Sequence, residues 1–516
     1  MDLTYIKSHF SHFRDSPFRP HQESAILATL ESVRPVSVIV APCGSGKSLC
    51  GAVIGQTLGN LTYLVHSKSL QSQLLNDYPE AEMLMGRNNY ECLVADGLTA
   101  DNCTHRKGYP CKYVKPCPYR LQKTRVFKHN LRILNYDTFL HHANLAQYPE
   151  SNVVICDEGD MLDRCLESFI SLDITTRTME RYQMDLPKRR TTQSKDGMAP
   201  WRTWVGLFQD KAMRYISSLE PKMDRYTNRT SEGYIQIHTD LTRATRFLSK
   251  LEVFANFMDA TWLMEESDNK VSFKPTWLSA SIANEFFWRH SNRFVLMSAT
   301  MYPPQVLSKL LGRPVGDFDY LPPIPSTFPI ANRPLYLKPV ADMSYKTFDQ
   351  ELPNLLAEIE TILNQYPNDK ALIHCVSFRL RNAIMKIDNN RLITHETGNR
   401  AIILEQFKKD KRPLALVSPS YERGIDLKDD LCRNVIFAKA PFLNLQDKQV
   451  NARIHSGQLG QYYYKADCAQ SIVQGTGRHI RDKTDWGKAW LLDAQINKLI
   501  TDNPELFPTY WREALR

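Results

Sequence analysis

The sequence predicts an α/β protein of two parallel-sheet domains, the first of them interrupted by two inserts. Three observations predict it. Eight short apolar runs recur along the chain in two groups of four. A glycine-rich loop follows the first run, and two adjacent carboxylates close the third. Two long segments break the rhythm, one basic and cysteine-bearing, the other helical in pattern.

The runs are 36–41, 61–65, 153–156 and 294–297, then 371–376, 414–417, 435–438 and 489–492. Four to six apolar residues spaced by tens of residues read as strands buried on both faces of a parallel sheet. The chain of 516 residues is too long for one core, so each group of four makes its own sheet. In the segment 161–290, Trp201, Trp204, Phe208, Ala212, Tyr215 and Leu219 keep a spacing of three or four. Leu241, Ala244, Phe247, Leu251, Phe254 and Met258 do the same. That period predicts two amphipathic helices packed through an ordinary apolar core rather than an aromatic binding face. The stretch 188–196 reads as a loop, and the Pro-rich stretch 323–334 as a linker.

Composition excludes several classes. A hydrophobic share of 42% and a charged share of 23% are those of an ordinary globular protein. No apolar run approaches the roughly 18 residues of a membrane span, so no membrane partner is expected. The N-terminus, MDLTYIKSHFSHFRD, is too polar for a secretory signal. Eleven cysteines, an odd number, argue for a reducing compartment rather than a disulfide framework. A net charge of +9 leans mildly towards an anionic partner.

The loop Ala41-Pro-Cys-Gly-Ser-Gly-Lys-Ser48 stands between a strand and a helix. A phosphate chain needs inward-pointing backbone N–H groups, which the flexible Gly44 and Gly46 permit. It needs a cation, supplied by Lys47, and a hydroxyl on Mg²⁺, supplied by Ser48. Ala41 stands where the usual pattern has glycine. The run 153–156 ends in Asp157-Glu158, some 110 residues downstream. Asp157 suits the Mg²⁺ shell, and Glu158 suits a base for the attacking water. ATP and Mg²⁺ are therefore expected. Near the C-terminus, Gln474-Gly-Thr-Gly-Arg478-His-Ile-Arg481 places two guanidiniums three residues apart. On a helix they face one way, Gln474 lies one turn earlier, and the arginines bracket a γ-phosphate from the second domain.

Four cysteines, Cys92, Cys103, Cys111 and Cys117, fall within 26 residues at spacings of ten, seven and five. Zinc sites favour paired knuckles with short spacers, and none occurs here. The wider spacing fits a cubane whose four irons each take one thiolate, with zinc or free thiols as the alternatives. His105 stands near and reads as a surface residue, with a role as alternative ligand the second reading. From Asn102 to Tyr136 there are nine Lys or Arg and no Asp or Glu: Arg106, Lys107, Lys112, Lys115, Arg120, Lys123, Arg125, Lys128 and Arg132. Tyr109, Tyr113, Tyr119 and Phe127 interleave with them. Charges for phosphates and exposed rings for bases suit a single strand.

The ordered motifs resemble the iron–sulfur group of superfamily 2 helicases typified by XPD and DinG. Phe18-Arg-Pro-His-Gln22 resembles the segment whose glutamine reads adenine, and His66 to Gln73 the strand-gripping motif Ia. Asn135-Tyr136 resembles the pair ahead of the acidic motif. Ser298-Ala299-Thr300 resembles motif III, and Ala371 to Phe378 motif IV. Tyr421-Glu-Arg-Gly424-Ile-Asp426 resembles motif V, whose Gly424 and Asp426 the resemblance assigns to the nucleotide. Ala438 to Phe442 resembles the segment after motif V, and Gln474 to Arg481 motif VI. The group reads DEAH where this chain reads Asp157-Glu-Gly-Asp160. Asp160 can accept a hydrogen bond from Ser298 or Thr300 but, ionised, cannot donate.

The resemblance implies two RecA-like motor domains. The first comprises 1–83, 131–160 and 291–322, and the second 335–516. An iron–sulfur insert is implied at 84–130 and a helical arch at 161–290. The four cysteines would hold a [4Fe–4S] cluster. The implied activity is ATP-driven 5′–3′ movement on single-stranded DNA with unwinding of forked or tailed duplexes, RNA hybrids included, by a monomer. A small bacterial or phage member in a cytoplasmic setting is implied. Two other readings remain: a translocase that strips proteins or R-loops without strong unwinding, and a non-hydrolysing ATP-gated clamp. Intact Lys47, Asp157, Glu158, Arg478 and Arg481 argue against the clamp.

Overall fold

Apolar runs that must bury both faces need helices on each side, and the computed structural model shows two such sandwiches. It describes all residues except 1, 95, 104–110, 146–147, 188–197, 229–230, 420–426, 428, 478–479 and 481–483. The strands in chain order are β1 (Val36–Val40), β2 (Leu61–Val65), β3 (Glu82–Leu84), β4 (Leu131–Asn135), β5 (Val153–Asp157), β6 (Leu172–Thr175), β7 (Trp262–Ser267) and β8 (Lys270–Pro275). They continue with β9 (Phe294–Ser298), β10 (Phe318–Tyr320), β11 (Leu335–Ala341), β12 (Ala371–His374), β13 (Leu392–Thr394), β14 (Ala415–Ser418), β15 (Asn434–Phe437) and β16 (Lys488–Asp493).

The first sheet has the order β10-β1-β9-β5-β2-β4-β3 and the second β11-β16-β15-β12-β14-β13. Every pairing in both is parallel. The eight apolar runs divide between the sheets in two fours, as the sequence predicts. The central strands β1, β2, β12, β14 and β15 are buried along their whole length. The C-terminal ends of β1, β5 and β9 lie side by side, which is where a parallel sheet places its ligands. That edge carries Ala41, Asp157 and Ser298.

The segment between β5 and β9 is not wholly helical. Two 26-residue helices, Ala199–Asp224 and Glu232–Phe257, pack on each other. Trp201, Trp204 and Phe208 are buried, and the pairing Phe208–Phe247 brings the two helices together at 5.1 Å between rings. The aromatic stripe is a core, as the spacing predicts. Beneath the helices lies a three-stranded antiparallel sheet, β6-β8-β7. Its hairpin turns at Asp268-Asn269, with Ser267 opposite Lys270. The alternation of buried Val271, Phe273 and Pro275 in β8 was the signal for it. The stretch read as a loop, 188–196, lies outside the described residues. No helix among the described residues is long and apolar enough to cross a membrane.

Candidate nucleotide site and strand cavity

The loop after β1 needs left-handed backbone at two places. Gly44 has φ +73° and Gly46 φ +81°, conformations open to glycine and costly for other residues. Gly46 then caps the helix Lys47–Leu58, so the helix N-terminus opens on the loop. Gln22 is buried against it. Its Nε2 donates to Ser45 O at 3.1 Å and Gly46 O at 3.2 Å, and its Oε1 accepts from Arg19 N at 2.8 Å. A Cβ added at Gly46 would stand 2.3 Å from that Nε2, a second reason for glycine there. The Arg19 guanidinium donates to Gly44 O. Gln22 thus braces the phosphate loop itself. Lys47 Nζ donates to Ala41 O at 2.8 Å and Pro42 O at 3.1 Å.

Across the sheet edge, Asp157 ends β5. Its Oδ1 accepts from Glu158 N at 3.0 Å, and its Oδ2 from Tyr63 OH at 3.3 Å. Burial raises its pKa, with Lys47 nearby acting the other way. Tyr136 OH donates to the Asp157 carbonyl at 2.9 Å, so the tyrosine of the Asn135-Tyr136 pair anchors the acidic turn. Glu158 has φ +50°, a left-handed conformation that costs a non-glycine residue about 1 kcal/mol or more.

Asp160 is buried, and Ser298 Oγ donates to its Oδ1 at 2.5 Å. Of the two partners the sequence offered, the serine makes this bond. Among the described residues the buried Thr300 hydroxyl has no partner. Gln474 Nε2 then donates to Ser298 Oγ at 3.2 Å from the helix Gln458–Thr476 of the second sheet domain. Asp160, Ser298 and Gln474 form one chain across the cleft. Tyr510 OH reinforces it with a 2.7 Å bond to Ala299 O.

The helix bearing Gln474 ends at Thr476, so the helical reading of 474–481 is corrected at that point. Arg478 and Arg481 lie outside the described residues, as do Gly424, Asp426 and the rest of 421–426. The neighbouring Gly477 is described. A Cβ built on it stands 3.9 Å from Cys43 Sγ, so this end of the second domain reaches the phosphate loop.

The four cysteines face one cavity of about 1160 Å³. It lies between the cysteine segment, β4 with its following helix, and the insert helix Glu232–Phe257. Each thiol is half-buried. Burial raises the Cys92 pKa, and the neighbouring Cys103, Cys111 and Cys117 add to the rise, so the four lie within electrostatic reach of one another. Among the described residues, no three His, Cys, Asp or Glu side chains converge on a point that suits a single metal ion. A cubane asks for something else, one thiolate on each of four irons. Four thiols lining one cavity are the donor type that group needs. His105 falls outside the described residues.

The cavity is cationic. Lys68, Arg87, Arg120, Lys123, Arg246 and Lys250 line it against two carboxylates, Asp101 and Asp137. Burial, with Arg120 and Arg87 beside it, lowers the Lys123 pKa. Burial and the charge of Lys123 bring His142 down to about 4. Cations that suppress one another's charge are relieved by an anion. The basic track itself needs correcting at three points. Arg132 lies on β4, 2% exposed, bonded to Thr62, Ser151 and the carbonyls of His129 and Glu150, so it is a core residue. Tyr119 is buried, with its OH 3.0 Å from His142 Nε2. Phe127 is half-buried under Lys123. Lys112, Lys115, Arg120, Arg125 and Lys128 are exposed. Arg106, Lys107 and Tyr109 are outside the described residues. The sequence pattern missed the insert's own contribution, Arg246 and Lys250. The two stand four residues apart, on one face of a helix, and that spacing was the available signal.

Comparison with known proteins follows this geometry. The family model "Type III restriction enzyme, res subunit" matches residues 15–160, and "Helicase C-terminal domain" matches 359–514. The ATP-dependent DNA helicase YoaA of Haemophilus influenzae is 26% identical over 160 residues, covering 29% of this chain and 24% of that protein. The ATP-dependent DNA helicase CHL1 of Debaryomyces hansenii is 21% identical over 481 residues, 74% of this chain and 57% of that one. The chain thus spans about a quarter to just over half of these relatives. Among solved structures, an XPD helicase superposes with a TM-score of 0.65 at 15% identity, covering 95% of this chain and 98% of that one. Xpd4 of S. tokodaii gives 0.56 at 13%, with 96% and 99% covered. The chain thus has the fold of the solved XPD helicases over nearly its whole length, matches a helicase C-terminal model on its second sheet domain, and is similar in sequence to ATP-dependent DNA helicases.

Proposed function

We propose that this chain is an ATP-hydrolysing motor that moves 5′ to 3′ on single-stranded DNA and parts forked or tailed duplexes. The observation that carries the reading is the Asp160–Ser298–Gln474 chain, which ties the acidic turn of one sheet domain to the other. A non-hydrolysing clamp has no use for such a link beside a base.

In this reading the nucleotide lies between the phosphate loop and the segment after Gln474. The backbone of Gly44 and Gly46 cradles the phosphates, and Lys47 leaves its loop carbonyls for the β/γ-phosphates. Gln22 sets the loop and contacts adenine. Ser48 and Asp157 hold Mg²⁺, which neutralises phosphate charge when bound. Glu158 takes a proton from water as its oxygen attacks the γ-phosphorus. The bond to the β–γ bridging oxygen breaks, and that oxygen leaves with ADP. Arg478 and Arg481 stabilise the charge on the transferred group. Gly424 and Asp426 complete the pocket from motif V. Asp160 replaces the histidine of related motors as an acceptor, with Ser298 as the donor.

Residues 84–130 act as the strand-gripping domain and 161–290 as the arch over it. The cationic cavity between them takes the phosphate backbone. Cys92, Cys103, Cys111 and Cys117 hold a [4Fe–4S] cluster, which when bound supplies a rigid covalent brace for the basic surface. Polarity comes from the resemblance alone. Strand displacement on duplexes with a 5′ or a 3′ single-stranded tail tests the proposal. ATP-dependent release from the 5′-tailed substrate alone is expected. Release from neither, or from the 3′-tailed one alone, refutes it.

A further inference from the structure

The turn after β9 lies between the two sheet domains. The ladder of the first sheet ends at Ser298, whose carbonyl accepts from Ala41 N at 2.9 Å. The next carbonyl, Ala299 O, takes its donor from the other domain, Tyr510 OH at 2.7 Å. Near the end of the turn, Tyr302 OH donates to Asp467 Oδ1 at 2.6 Å, on the helix Gln458–Thr476. Tyr302 and Leu307 share one apolar cluster with Tyr463 and Ala466 of that helix. With the bond from Gln474 to Ser298 Oγ, the second domain holds this turn at residues 298, 299 and 302.

Tyr510 can hold its place because its own segment is fixed. It stands on the helix Thr509–Arg512, in one buried cluster of the second domain with Phe507, Trp511 and Ala514. Trp511 Nε1 donates to Thr476 Oγ1 at 2.7 Å, at the end of the helix that carries Gln474. The Arg333 guanidinium donates to the Tyr510 carbonyl. Leu515 pairs with Leu335 of β11, through Leu335 N to Ala514 O at 2.9 Å and Arg516 N to Leu335 O at 2.9 Å. Burial holds the Tyr510 phenol well above its ordinary pKa, so the hydroxyl keeps the proton it donates. Gln474 and Tyr510 thus reach adjacent residues of one turn from two elements that Trp511 joins. The Gln474–Ser298 bond, at 3.2 Å, stands at the long end of the range for an N–H donor, so a small shift of the turn breaks it.

We propose that Tyr510 is a positioning residue of the motor: its hydroxyl sets the turn after β9 on the second sheet domain, so that Ser298 stands within reach of Gln474. The inference rests on the motor reading and adds a residue to it.

Tyr510→Phe keeps the buried ring and loses only the donor. In the full chain, its strand-stimulated kcat for phosphate release should fall about 2- to 13-fold, the worth of one neutral hydrogen bond. KM for ATP should stay within about twofold, because the hydroxyl bonds a turn carbonyl rather than the nucleotide. In a Gln474→Ala background the same substitution should cost less than about twofold, since no bond is left for the turn to set. Equal costs in the two backgrounds overturn the inference and make Tyr510 an independent tie. So does an unchanged kcat, a loss carried by KM, or a lowered urea midpoint with equal costs in both backgrounds, the mark of a purely structural role. A parent whose phosphate release ignores single strands overturns the motor reading instead, and the same cycle read without a strand still decides the part of Tyr510. A parent that releases no phosphate at all overturns both.

Discussion

Replacing Gln474 with alanine removes one neutral hydrogen bond across the cleft, the 3.2 Å contact to Ser298 Oγ. Such a bond is worth about 0.5–1.5 kcal/mol, or about 2- to 13-fold in the equilibrium it favours. If that equilibrium is cleft closure, strand-stimulated turnover falls by the same factor. Ser298→Ala removes this bond and also the 2.5 Å bond to Asp160, which lies within the first domain. A bond to a carboxylate is worth about 1.5–3 kcal/mol, so Ser298→Ala should also lower the unfolding midpoint, which Gln474→Ala should spare. The decisive assay is a double-mutant cycle on strand-stimulated phosphate release. Gln474→Ala should cost its 2- to 13-fold in the Ser298 protein and nothing in the Ser298→Ala background. Equal costs in both backgrounds would refute the relay.

Lys47→Ala should abolish phosphate release while strand binding, read by fluorescence anisotropy, stays within about twofold; near-normal turnover would sink the loop assignment. Cys111→Ser should lose bound iron and the brown absorbance of anaerobically purified protein, and unchanged iron content would remove the cluster from the account. His290 gives a pH dependence. Burial and Arg289 hold its pKa at about 4, below the ordinary 6.5. The unfolded chain therefore takes up the proton first, and stability falls as pH drops from 6.5 towards 4, by up to about 1.4 kcal/mol per pH unit. In urea titrations His290→Gln should show a shallower decline across that window than the parent, and identical slopes would contradict the burial argument.

The two sheets were legible because their central strands are continuous apolar runs, and the loop after β1 because its glycines and lysine have a fixed spacing. β4 was missed because Arg132 interrupts Leu131 and Ile133; the run looked polar, yet the guanidinium is buried and hydrogen-bonded through all three nitrogens. The same residue was misread as part of a basic surface. Tyr119 was misread too, because in the helix Pro118–Lys128 it shares the inward face with Val126, while Arg120, Arg125 and Lys128 face out. The link from Asp160 to Ser298 followed from donor and acceptor chemistry. Its extension to Gln474, and the pairs Arg164–Asp467 and Glu167–Arg453, join residues 176, 303 and 286 positions apart. No local pattern encodes such pairings, which appear only when two sheets and an insert are docked.

The account stands most directly on one rate, phosphate release from ATP by the full chain with and without single-stranded DNA. A rise of about tenfold or more on adding the strand is the result expected of a motor whose cleft and cavity are linked. Equal rates would contradict it.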